Sequence, residues 1–175
     1  MNFASAFCKI ENISENMRAN NAARFEKAFQ KNREGICARH ISTINEGMSG
    51  KSINGVKFAR QIFTVNGEKV EGVFPVFKSQ FTCKLPEHLY NASDIEQMKY
   101  CTKTLAAHIE RDPQFAQSFS QRQLEQIKNG EPRISGLTWH HNERPGRMQL
   151  VNAADHTAAR HTGGRNIWGG GSENR

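Results

Sequence analysis

The chain has 175 residues, of which 37% are hydrophobic, and it carries a net charge of +7 at pH 7 with a mean hydropathy of −0.70. That length suits one domain with a modest core, and no apolar run approaches the roughly 18 residues that cross a bilayer, so a membrane protein is not expected. The positive balance favours an anionic partner, of which nucleic acid is the commonest, although solubility alone also produces basic proteins.

Met1-Asn2-Phe3-Ala4-Ser5-Ala6-Phe7 lacks the basic start and long apolar segment of an ordinary signal peptide. Export, if there is any, is expected to use a specialised secretion route. Four cysteines stand at 8, 37, 83 and 101 with no Cys-x-x-Cys pair. Such spacing is neither a zinc ribbon nor a disulfide framework, so reduced, buried thiols are expected.

From Ile10 to about Gln30, Ile10, Ile13, Met17, Phe25 and Phe29 recur at helical spacing, with Ser14 as a candidate cap. Gly35 would stop that helix, and 36–44 is expected to form a second short one. The polar, Gly-rich stretch Glu46-Gly47-Met48-Ser49-Gly50-Lys51-Ser52 divides a helical arm, 1–47, from a main domain, 48–175. A single fold containing both is the alternative.

Val56, Phe58, Ile62, Phe63 and Val65 lead into Asn66-Gly67, followed by Val70, Val73, Phe74, Val76 and Phe77. An Asn-Gly dipeptide between such runs predicts a β-hairpin. Its Lys57, Arg60, Lys69 and Lys78 either face nucleic acid or form a solvated surface. Beyond Pro86 the pattern turns helical. Ser93 with Glu96 makes a capping box for a helix from Asp94 to about Arg111, and Ser120 with Gln123 opens another that Asn129-Gly130 closes. His88 and His108 lie far from other ligand-type residues and read as ordinary surface or core histidines.

Four of the seven histidines fall between 140 and 161. Residues 133–140 read as a strand, Asn142-Glu143-Arg144-Pro145-Gly146 as a turn, Arg147–Val151 as the returning strand, and Ala153 to about Arg160 as a short helix. On a strand, His140 and His141 point to opposite sides, so one suits a metal ion and the other proton chemistry. His156 and His161 are five residues apart, about 140° around a continuous helix, against about 40° for an i, i+4 pair. The helix is therefore expected to end near Arg160, letting His161 swing back, in keeping with Gly163-Gly164 downstream. Three neutral imidazoles form a site open to water or phosphate, as in catalytic zinc centres. With a histidine base beside it, such a site can hydrolyse phosphodiesters. Arg147, Arg160 and Arg165 are candidates to bind the flanking phosphates.

Thr138-Trp139-His140-His141, Gly146, Met148-Gln149-Leu150-Val151, His156, His161-Thr162-Gly163-Gly164-Arg165 and Ile167-Trp168-Gly169-Gly170-Gly171 carry a resemblance to the HNH nuclease superfamily. They resemble its Trp-His-His variety, found as the C-terminal domain of bacterial polymorphic toxins. Val73-Phe74-Pro75-Val76-Phe77, Leu85-Pro86 and Leu124-Glu125-Gln126-Ile127 extend the resemblance over roughly residues 50 to 175.

The resemblance implies an α+β fold whose C-terminal part, about 134–165, is a ββα-metal finger. It implies His140, His156 and His161 as ligands of one divalent ion and His141 as the general base. Imidazoles suit zinc, nickel, cobalt or manganese better than magnesium. The asparagine that steadies the base in this superfamily falls to Gln149 or to Asn152, and the last two ligands are five apart where the colicin DNases space them by four. The implied activity is cleavage of DNA with little sequence preference, leaving 5′-phosphates, by an antibacterial toxin that acts in a bacterial cytoplasm and has an acidic immunity protein as partner. The alternatives are a metal-stabilised nucleic-acid-binding module without catalysis, or an RNA-cleaving or housekeeping nuclease of the same fold. Trp139, on a strand, is expected to pack in the core.

Overall fold

The computed structural model describes residues 38–171. The chain divides into units of residues 1–37 and 38–175, and every described residue lies in the second. The helix expected over 10–30 is outside the described residues. Among the described residues the strands are β1 (Arg39–His40), β2 (Ser52–Ile53), β3 (Val56–Val65), β4 (Glu68–Val76), β5 (Phe81–Lys84), β6 (Leu137–His141) and β7 (Arg147–Asn152). The helices are α1 (Asp94–Arg111), α2 (Gln121–Lys128), α3 (Ala153–Ala158) and α4 (Arg165–Trp168). None of these helices is long and apolar enough to cross a membrane.

Asn66 and Gly67 take φ of 49° and 83°, the left-handed pair that a two-residue hairpin turn demands. They join β3 to β4 in antiparallel register from Lys57↔Val76 to Val65↔Glu68, as the dipeptide predicts. β2 and β1 flank this hairpin in a sheet of order β1-β4-β3-β2, with β1 parallel to β4. The short helix expected over 36–44 is thus replaced by a strand at Arg39–His40. An open edge on β4 lies within reach, and Ile41 completes the pairing by donating its N–H to Glu71 O at 2.7 Å.

The apolar phase of β3 changes partway. Val56 and Phe58 are buried on one face, and Phe63 and Val65 on the other. The strand therefore serves two cores. Val56, Phe58, Val73 and Phe77 pack with Val151 and Ala159, while Phe63, Val65, Val70 and Phe74 pack with Ile41 and Ile167.

The second sheet has order β5-β7-β6 and is wholly antiparallel. Its inner face buries Cys83, Trp139, Met148 and Leu150 against Cys101 and Leu105 of α1 and Ile127 of α2. Both predicted capping boxes are present, so α1 starts after Ser93 and α2 after Ser120. β6, the turn at Pro145-Gly146, β7 and α3 follow one another as strand, turn, strand and helix. The fold is α+β, and the histidine cluster sits on this ββα unit.

Candidate active site

The two faces of β6 separate its neighbouring histidines. Trp139 and His141 face α1, where the Trp139 indole N–H donates to Thr102 Oγ1 at 3.1 Å inside the core. His140, only 2% exposed, faces α3 and the loop beyond it. Period-two alternation alone accounts for this division.

α3 delivers His156 and then stops. Asn152 caps its start by accepting from the N–H groups of Ala154 and Asp155, and the helix ends at Ala158, with Ala159 at ψ 52° outside helical space. The chain turns back there, and His161 comes round to His140. Helix termination is how a five-residue spacing closes the site. Ligand-type atoms of His140, His156 and His161 all lie within 4.8 Å of one another.

His161 Nδ1 lies 2.8 Å from Ala159 O. A carbonyl oxygen only accepts, so Nδ1 carries the proton and Nε2 keeps its lone pair. That lone pair points to His140 Nδ1, 3.2 Å away. Phe77, just beyond β4, closes the cluster with its ring centroid 4.8 Å from His140 and 5.5 Å from both His156 and His161.

Burial favours the uncharged form of each imidazole in the cluster. It holds His140 well below the ordinary imidazole range, helped by repulsion from His161, His156 and His141. His156 is pushed down to about 4 by burial and by His161, and burial lowers His161 as well. Three imidazoles whose ligand-type nitrogens lie within 4.8 Å of one another form a donor set that fits a divalent cation with positions left for water or phosphate.

On the other face, His141 Nε2 lies 2.6 Å from Gln97 Oε1 and 3.8 Å from Asp94 Oδ1, both on α1. Trp168 covers this side, its ring 5.7 Å from His141 and its indole N–H donated to Asn142 O at 2.8 Å. Gly164 donates its N–H to His141 O at 2.9 Å. A Cβ on Gly164 would collide with Asn142 O, so the close approach of α4 to the histidine strand requires glycine there.

Other expected site residues fall elsewhere. Gln149 pairs with His140 across the sheet, but its side chain accepts from Asn142 Nδ2 at 3.0 Å. Asn152 is committed to the α3 cap. The amide oxygen that meets His141 Nε2 is that of Gln97, while Gln149 and Asn152, which the resemblance implies as candidates to steady the base, engage Asn142 and the α3 N-terminus. Arg165, expected to bind phosphate, is 2% exposed. Its guanidinium donates to Tyr90 O and Ala92 O and lies 3.3 Å from Asp94 Oδ1, which makes it an internal clamp. Arg147 and Arg160 are exposed. In the hairpin, Arg60 is ion-paired with Glu71 and Glu46.

Residues 66–163, more than half of the chain, match the family described as the DNase/tRNase domain of colicin-like bacteriocin. The chain belongs to this Colicin-DNase family. It is a nuclease toxin domain, a hydrolase of nucleic acid, and domains of this family use metal ions, for which His140, His156 and His161 are the candidate ligands here. No curated protein and no solved structure matches the chain. The matched stretch contains all four clustered histidines and ends before Arg165.

Gln97 and Asn45 carry no site signal in the sequence, and Phe77 and Trp168 stand there only as strand and resemblance residues, without a place at the site. Asn45 donates its side-chain amide to Arg160 O at 2.8 Å, and Ile44 N–H reaches Thr162 Oγ1 at 3.2 Å, so both residues brace the loop that carries His161. The spacing of Gln97 with Cys101 and Leu105 at i, i+4 and i+8 on one helix face was the available signal for the burial of Gln97.

Proposed function

We propose that this colicin-family domain is a metal-dependent endonuclease of the HNH type, in its Trp-His-His variety, that hydrolyses DNA with little sequence preference and kills competing bacteria. The observation that carries the reading is the split at Trp139-His140-His141. His140 turns toward His156 and His161, and its neighbour turns away to α1. A divalent ion held by His140, His156 and His161 would stabilise the charge that builds on the phosphate and on the departing oxygen. His141 takes a proton from the attacking water, which frees a hydroxide to attack phosphorus. Arg147 and Arg160 bind phosphates flanking the scissile bond, by charge-assisted hydrogen bonds. The imidazole donor set favours zinc, nickel, cobalt or manganese over magnesium.

The test is digestion of a supercoiled plasmid and of a tRNA pool, each with and without chelator, comparing wild type with His141→Ala. Nicked and linear DNA that disappears with chelator is expected, with the variant slower by roughly 10²- to 10⁴-fold. Cleavage indifferent to chelator, or unaffected by the substitution, would sink the mechanism. Cleaved tRNA beside intact plasmid would move the substrate to RNA.

As a toxin, the protein acts in a bacterial cytoplasm after export by a specialised secretion system, and a small acidic immunity protein neutralises it in the producing cell. The charge of +7 suits such a partner. Expression in a host without the immunity protein should arrest growth, and the His141→Ala variant should not. Healthy growth with active enzyme would exclude the toxin role.

A further inference from the structure

We infer that Gln97 is the positioning residue that sets the tautomer of His141, so that the neutral ring carries its proton on Nε2 and presents Nδ1 as the basic nitrogen. This deepens the reading of His141 as the base and rests on it for its consequence in catalysis, though not for the tautomer itself.

The Gln97 amide is fully buried. Its nitrogen donates to Leu89 O at 2.7 Å and to Tyr90 O at 2.9 Å, using both of its N–H bonds. The reversed amide would press Oε1 against two carbonyl oxygens, none of which can donate. The hydrogen-bond network therefore assigns the orientation without ambiguity. Oε1 is left facing His141 Nε2 at 2.6 Å. An amide oxygen accepts and cannot donate, so Nε2 must carry the proton. In a neutral imidazole the lone pair then belongs to Nδ1.

The carbonyls that hold Gln97 are themselves held. Arg165 donates Nη1 to Tyr90 O at 3.3 Å and Nη2 to Ala92 O at 2.8 Å, and its Nε lies 3.3 Å from Asp94 Oδ1. That engagement keeps the Asp94 carboxylate 3.8 Å from His141 Nε2, beyond a hydrogen bond, so the amide is the closer partner of the two. A chain of contacts thus runs from Arg165 through the 89–92 turn and Gln97 to one nitrogen of His141. Burying a glutamine at 0% exposure is costly unless every polar atom is satisfied. Here the amide nitrogen and oxygen are both engaged, and leucine or methionine would fill the space without that requirement. Tautomer selection is what the amide provides and an apolar residue cannot.

The direct measurement is the pattern of imidazole ¹⁵N shifts in metal-free, ¹⁵N-histidine-labelled protein, with the His141 signals assigned by their loss in His141→Ala. Wild type should show His141 protonated at Nε2 and unprotonated at Nδ1. The opposite pattern in wild type would overturn the inference, and this readout needs no Gln97 variant to fold. Gln97→Met should give a mixture of tautomers. In plasmid cleavage it should lower kcat roughly 10- to 100-fold while KM and metal affinity stay near wild type, because His140 lies on the opposite face. A single unchanged tautomer with wild-type kcat in Gln97→Met would also overturn it. If the Nε2–H pattern is present in wild type and lost in the variant while His141→Ala still cleaves at full rate, the tautomer assignment stands and the general-base reading fails.

Discussion

Three imidazoles packed against a phenyl ring, with no carboxylate among them, are an unusual thing to bury without charge. His140, His156 and His161 surround one region under Phe77, and burial depresses the proton affinity of all three, with repulsion adding to it at His140 and His156. Removing a ligand and removing His141 should have separable effects. His140→Ala or His156→Ala should abolish measurable heat in a calorimetric metal titration, and His141→Ala should bind metal like wild type while losing cleavage. The reverse pattern would exchange the two roles.

Proton linkage gives a second expectation at this scale. The cluster histidines bind protons more weakly in the fold than in the unfolded chain, where the ordinary value is 6.5. Below that value the unfolded chain therefore takes up more protons, and stability falls as pH falls. For His156 the window runs from 6.5 down to about 4. Melts of chelator-treated protein should show Tm level above this window and declining through it. His156→Asn should flatten the decline, and an unchanged slope in that variant would contradict the assignment.

At the scale of elements, the site depends on where α3 stops. Its last turn ends at Ala158, and the 160–162 loop that brings His161 back is braced by Asn45 and Ile44 from more than a hundred residues upstream. Asn45→Ala removes the hydrogen bond to Arg160 O and leaves that loop less constrained. Metal affinity should fall by roughly tenfold or more, as for other residues that orient ligands, and the α-helical signal should not change. Equal affinity in variant and wild type would show that the loop holds itself. The early end of α3 was legible in the five-residue spacing, because a helix cannot place both side chains on one ion. The brace was not, since nothing local to Asn45 records which loop folds over it.

At the scale of the whole molecule, a ligand that binds the folded chain through three residues from β6, α3 and the following loop ties those elements together. Mass action then predicts stabilisation of about 2.7 kcal/mol at a metal concentration 100 times Kd. Denaturant unfolding with and without zinc, nickel or manganese measures it, and the ion giving the largest shift is the one the site prefers. No shift with any of them would remove the metal site. The two described cysteines, Cys83 and Cys101, are buried and unpaired by disulfide, as expected of structural thiols; Cys8 and Cys37 lie outside the described residues.

By itself the sequence determined the features that depend on local geometry. Asn66-Gly67 admits a tight hairpin, Ser93 with Glu96 and Ser120 with Gln123 admit helix starts, and two adjacent histidines on a strand must part company. These follow from dihedral preference and from periods of 2.0 and 3.6 residues, which operate within a few positions. Only the tertiary structure decided which polar residue meets His141, what shelters the cluster, and that Arg165 is buried against Tyr90, Ala92 and Asp94. Gln97 lies 44 positions from His141, and its place on the helix face of Cys101 and Leu105 points to burial without naming a partner. Burial depends on what packs above a residue, and Trp139-His140-His141 acquires two distinct surroundings only when α1 closes on one side of β6 and α3 on the other.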